Sequence, residues 1–254
     1  MIKLTLLFFI TAVLYTAVGF GGGTTYSALL VLANTDYLLL PSIALLCNII
    51  VVSGSSLRFH HKRLIPWQQA WPLFLLSVPF AFLGGLITLE KQIFILLLGT
   101  ALLFAGLTLL LQSESETSPA SYTPTTTPIT AVIAALTGLL SGIVGIGGGI
   151  FLAPLLHLKR WAQPRMIAAV CSVFILFNSL AGLVGQSVKL NGLDRLPDLF
   201  AYWPLLLAVF IGGQIGSMAS SNWLKQLTIK RLTAALIVFV ALRLLLQNIS
   251  NHSV

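Results

Sequence analysis

Apolar residues form long runs along this chain, separated by short polar or basic stretches. Residues 2–18 and 24–33 are two arms of one run, interrupted by Gly19-Phe20-Gly21-Gly22-Gly23. Three unbroken runs follow, at 38–57, 69–89 and 93–111. The plan then recurs. Residues 129–157 are broken by Gly145-Ile146-Gly147-Gly148-Gly149, and runs at 166–188, 202–220 and 232–246 come after. The unbroken runs read as spans of a hydrocarbon core about 30 Å thick, the last, 232–246, being the shortest at about 22 Å. The arms beginning at residues 24 and 150 are only about 15 Å long as helices and cannot span alone. Residues 112–128 are rich in Ser, Thr and Pro, lack apolar periodicity and read as a flexible connector.

The pattern predicts an all-α integral membrane protein of two homologous repeats, 1–111 and 129–254, joined by the linker 112–128. The repeat reaches beyond the glycines. Cys47-Asn48 matches Cys171-Ser172, Trp71-Pro72 matches Trp203-Pro204, and Gly84 matches Gly216. Composition agrees: 57% of the 254 residues are hydrophobic and 8% charged, against about 25% charged in a soluble domain. Lys3 with the run that follows loosely fits a signal peptide, but no A-x-A site follows and the second copy has the same layout mid-chain.

The net charge of +8 points to membrane sidedness rather than nucleic acid. If each broken run crosses once, the basic stretches 58–63, 159–165 and 225–231 divide between the two sides. If each is a re-entrant hairpin, every half has three full spans and the second half is inverted. All three stretches then share the cytoplasmic side, with nine Lys/Arg inside and four outside, Lys3, Lys91, Lys189 and Arg195. The positive-inside tendency favours the inverted arrangement, with both termini outside.

Glycine clusters break helices, and a break in lipid needs protein or water to satisfy its backbone. A helix start offers free N–H groups and partial positive charge, so two such starts meeting at mid-membrane can hold a small anion without a buried cation. The candidate contacts are Gly21, Gly22, Gly23, Thr24 and Thr25 at the first break and Gly147, Gly148 and Gly149 at the second. Cys47, Asn48 and Ser53 join them from one span, and Cys171, Ser172 and Asn178 from its repeat mate. The plainer alternatives are close helix packing for the glycines, interhelical hydrogen bonds of about 0.6 kcal/mol for Asn and Ser, and small core residues for the cysteines. Gln186 and Gln214 are weaker candidates, and His157 reads as interfacial. Asp36, Glu90, Asp194 and Asp198 all lie in loops, which removes the usual carboxylate proton relay and favours an anionic or neutral substrate. No metal-ligand spacing and no nucleophile–base pair is present, so neither an enzyme nor a cofactor is expected. Coupling to a proton or sodium gradient is expected, with the ion open.

The first glycine cluster and the run from Gly138-Leu139-Leu140-Ser141-Gly142 through Gly149-Ile150-Phe151-Leu152-Ala153-Pro154 resemble the duplicated signature of the sulfite exporter TauE/SafE family. The first copy departs from it, with Thr24-Thr25-Tyr26-Ser27 in place of apolar residues and proline. The resemblance implies a bacterial or archaeal inner-membrane permease for sulfite, a sulfonate or a related small anion. The alternative from another class is a membrane-embedded accessory or assembly protein that moves no solute.

Overall fold

The computed structural model describes residues 1–18, 21–111, 127–218 and 226–250. Among these there are ten α-helices and no strand. They are α1 (Ile2–Val18), α2 (Gly23–Leu32), α3 (Leu40–His61), α4 (Trp67–Leu86), α5 (Lys91–Leu111), α6 (Pro128–Val144), α7 (Gly149–Leu158), α8 (Pro164–Gly192), α9 (Trp203–Met218) and α10 (Gln226–Ser250). A 3-10 turn, Leu196–Tyr202, leads into α9. Five stretches have the length and hydropathy of a membrane span. Large apolar side chains stay on the outside, among them Phe104, Phe210 and Phe239. Lipid suits such a surface, whereas water does not.

Several helix ends differ from the sequence expectation. The basic stretch at 58–63 is helical through His61, and α8 runs on through Lys189 to Gly192. α10 begins at Gln226, so Lys230 and Arg231 are helical. Basic side chains near a helix C-terminus, as in α3 and α8, suit the helix dipole, and long basic side chains reach toward the interface, so charge alone does not end a helix. Thr127 caps α6, its side chain accepting from the Thr130 N–H, and Pro128 occupies the first turn. The helix thus starts inside the stretch read as linker. The rest of that reading, at 112–126, lies outside the described residues.

In lipid, helices associate through close packing rather than water release. Here small residues let the backbones approach. Gly138 and Gly142 of α6 sit against the carbonyls of Ser77 and Ala81 on α4. Gly212 and Gly216 of α9 sit in the same way against Phe9 and Val13 of α1. Both pairs therefore run parallel. α5 and α10 run antiparallel, with Gly99 facing Leu244 and Leu245 and Gly106 facing Ala234 and Val238. α3 and α8 form the central pair.

These directions sort the loops by end. Phe59, Leu64 and Ile65 pack with Trp161, Ala162 and Met166, so the basic stretches 58–63 and 159–165 share one end. The start of α10 reaches the same end, because α5 arrives there antiparallel to it. At the opposite end the Arg195 guanidinium bridges Asp36 at 2.6 Å and Asp198 at 2.5 Å. Those carboxylates, Asp198 before Asp36, hold Arg195 above its ordinary pKa.

Candidate functional site

Each glycine break folds its run back into a hairpin. In the second, Lys159 at the end of α7 donates to Thr127 Oγ1 at 2.8 Å and Thr130 Oγ1 at 2.7 Å, beside the start of α6. In the first, Tyr15 bonds Thr25 at 2.7 Å, and the Phe8 and Tyr26 rings pack tilted with centroids 4.9 Å apart. The α6–α7 hairpin enters from the basic end. The α1–α2 hairpin enters from the opposite end, because α1 is parallel to α9, which runs toward the basic end.

The two turns meet. A methyl placed on Gly23 would collide with Ile146 O and would lie 2.5 Å from Asn48 Nδ2. Asn48 is fully buried, and its Nδ2 donates to Gly145 O at 3.3 Å, tying α3 of the first half to the break of the second. Gly145, Gly147 and Gly148 have φ of +82°, +89° and +75°. An L side chain in this region costs about 1–2 kcal/mol, so the turn needs glycine. Gly147 also sits against Asn48 and the Ser179 hydroxyl, and Gly148 against Thr137 O, Phe174 and Ser141.

Most of the expected contacts come together. Gly21, Gly23, Gly147 and Asn48 share one junction, buried at all but the half-buried Gly21, with Ile175 of α8 packed against Gly21, Gly147 and Gly149. Gly148 and Gly149 open α7, and the Cys171 carbonyl faces Gly149. Gly22 precedes α2 and packs on Tyr26. Thr24 and Thr25 are buried in the first turn of α2, but the Thr25 hydroxyl is engaged by Tyr15. Asn178 is buried one turn beyond Phe174, and Ser172 is buried on the same helix. Cys47 and Cys171 are free thiols in separate apolar clusters. Ser53 does not join the site. It is exposed, and its hydroxyl bonds Ile50 O at 3.0 Å. Five residues on from Asn48, it points about 140° away around the helix.

Other contributors were less visible in the sequence. Ile146 takes part through its carbonyl, which an apolar residue name does not announce. Ser141, one turn before Gly145, could have been found from the glycine motif itself. Gln186 donates to Gly142 O at 2.7 Å and braces α6 just before its break.

No formal charge is carried by the side chains at this junction, and a neutral site of helix starts, hydroxyls and amides is suited to a small polar solute. Among the described residues no group of three His, Cys, Asp or Glu could hold a metal. Comparison with known proteins decides the class. The family model described as Sulfite exporter TauE/SafE matches residues 4–244, both hairpins included.

The chain belongs to the TauE/SafE sulfite exporter family.

This TauE/SafE protein is also 30% identical over 246 residues to the probable membrane transporter protein y4hK of Sinorhizobium fredii (strain NBRC 101917 / NGR234), covering 96% of this chain and 98% of the relative. No solved structure matches it. It is a multi-pass membrane transporter, and the junction of its two hairpins lies within the matched stretch.

Proposed function

We propose that this protein carries a small anion, namely sulfite, a sulfonate or a related sulfur oxyanion, across a bacterial or archaeal inner membrane by alternating access. One observation carries the reading: two helix-breaking hairpins enter from opposite ends of the bundle and meet beside Asn48. Their short second arms, α2 and α7, both begin at that meeting point. Two helix starts aimed at one place favour negative charge there.

The helix pairing supports an inverted repeat. Each half's hairpin packs on the fourth helix of the other half, α1 on α9 and α6 on α4. α3 pairs with α8 and α5 with α10, which are counterparts in the two halves. A two-fold exchange of the halves maps this set of contacts onto itself. In such carriers the site lies at the repeat interface and access alternates as one unit rocks against the other. The end bearing Arg58, Lys62, Arg63, Lys159, Arg160 and Arg165 is the cytoplasmic one on this reading.

Flux in proteoliposomes tests the proposal, with sulfite, sulfate, thiosulfate, sulfoacetate and small carboxylates in one panel under pH and sodium gradients. One anion should move, and Gly148→Val should abolish that movement in protein that stays folded. The accessory-protein alternative draws support from the many glycines that serve helix crossings alone, such as Gly142 and Gly216. It requires that no anion move under either gradient.

A further inference from the structure

The polar atoms at the hairpin junction are unbalanced. Asn48 and Asn178 are both fully buried. Each amide donates to a backbone carbonyl, Asn48 to Gly145 O at 3.3 Å and Asn178 to Phe174 O at 2.9 Å. These bonds fix which side of each amide carries nitrogen. Each amide oxygen then faces the other way, and neither has a partner. Asn48 Oδ1 lies at the start of α2, 3.3 Å from where a Gly21 methyl would stand and 2.8 Å from a Gly23 methyl. At the start of α7, the buried Ser179 hydroxyl is also unpartnered, beside Gly147. The unpartnered Ser141 hydroxyl lies beside Gly148.

A hydroxyl turns to donate or accept, but an amide oxygen only accepts. A ligand between these helix starts therefore needs oxygens for the N–H and O–H donors and one proton for Asn48. A fully deprotonated dianion fails on both counts. It sets a bare oxygen against Asn48 Oδ1, and it brings two charges to a junction where no described side chain is cationic.

We propose that the site takes the proton-bearing monoanion of an oxyacid, its O–H donated to Asn48 Oδ1 and its other oxygens held by the starts of α2 and α7 and by Ser179. The proposal rests on the anion-transport reading and narrows its substrate class. Near the junction, the titratable side chains of α1, α2, α3, α7 and α8 are Tyr15, Tyr26, Cys47 and Cys171, while Lys3, Arg58, His60, His61, His157, Arg165 and Lys189 lie toward the ends of those helices. Phenols and thiols ordinarily ionise above neutrality, whereas a histidine titrates near it and would act on both anions, so a pH dependence that sulfite has and methanesulfonate lacks belongs to the ligand.

The test is flux at equal pH on both sides, which removes any proton gradient, with leak through protein-free vesicles subtracted. The probes are sulfite, which titrates, and methanesulfonate, a monoanion without an O–H. Above the ligand's last pKa, sulfite flux should fall about tenfold per pH unit, while methanesulfonate stays flat. Asn48→Ala should cut the preference for the proton-bearing anion about tenfold. Ser179→Ala should slow both anions and leave the pH slope intact. Should Asn48→Ala fail to fold, the wild-type pH series decides. Sulfite flux that is flat in pH or follows the dianion overturns the proposal. So does an Asn48→Ala slope equal to wild type, which would mean that trapped water alone caps the amide. Movement of methanesulfonate without sulfite overturns it while sparing anion transport; movement of neither at any pH overturns it, and overturns anion transport only when sulfate, thiosulfate, sulfoacetate and the small carboxylates also stay put.

Discussion

Gly23→Ala tests whether the two hairpins truly bear on one another, because helix propensity and packing oppose each other there. Gly23 is the first residue of α2. Alanine in a helix interior is favoured over glycine by about 0.5–1 kcal/mol, and by less in the first turn. Against this, the new methyl would collide with Ile146 O and stand 2.5 Å and 2.8 Å from the two polar atoms of Asn48. Overpacking of this kind costs about 1–3 kcal/mol. Moving Asn48 aside also weakens its bond to Gly145 O, by about 0.5–1.5 kcal/mol. Packing wins, and the expected net loss is about 1–3 kcal/mol. Gly54→Ala is the matched control. Gly54 lies inside α3 with open space where its methyl would go, so the same substitution should stabilise by about 0.5–1 kcal/mol. Thermal unfolding of both variants in the same detergent, alongside flux, reads the contrast. If Gly23→Ala proves as stable as Gly54→Ala and transports normally, the junction drawn here is wrong.

Gly142→Ala should destabilise by about 1–3 kcal/mol, because its methyl would strike Ala81 O and stand 2.7 Å from the Gly85 nitrogen; thermal unfolding reads it. Lys159→Met should loosen the α6–α7 mouth by about 1–2 kcal/mol, a charge-assisted bond discounted for partial exposure; Thr130→Val should add little to that loss, whereas Thr127→Val should add about 1 kcal/mol by also removing the α6 cap. A membrane-impermeant maleimide should leave Cys47 and Cys171 unmodified in folded protein, since both are fully buried; rapid labelling of either would contradict the packing around α2 or α7.

The sequence was a good guide wherever the physics was local. α1 begins and ends where the apolar arm does, at Ile2 and Val18, and both short arms are helices within a residue of expectation. Glycine density announced the breaks, because few other residues tolerate the φ values found at Gly145, Gly147 and Gly148. The grouping of the basic stretches 58–63 and 159–165 at one end was legible too. What failed depended on direction or distance. Ser53 was read with Asn48 because both are polar on one span, yet a five-residue spacing turns them to different faces. His61 and Lys230 lie outside the apolar runs yet are helical, because a change from apolar to basic does not end a helix. The carbonyl of Ile146 and the free face of the Asn48 amide are products of tertiary packing, and no residue pattern encodes them.

The sorting of charge between the two ends has a kinetic consequence. The end with Arg58, Lys62, Arg63, Lys159, Arg160 and Arg165 raises the local concentration of any approaching anion. The other end balances Asp36, Glu90, Asp194 and Asp198 against Lys3, Lys91, Lys189 and Arg195 and generates little field. Ions in solution erase such fields beyond about 10 Å at 0.1 M. On the proposed anion transport with alternating access, raising ionic strength should therefore weaken half-saturation for an anion arriving at the basic end and leave arrival at the opposite end almost unchanged. The same protein, oriented both ways in vesicles, would then have two salt sensitivities, and their difference would report which mouth a solute entered.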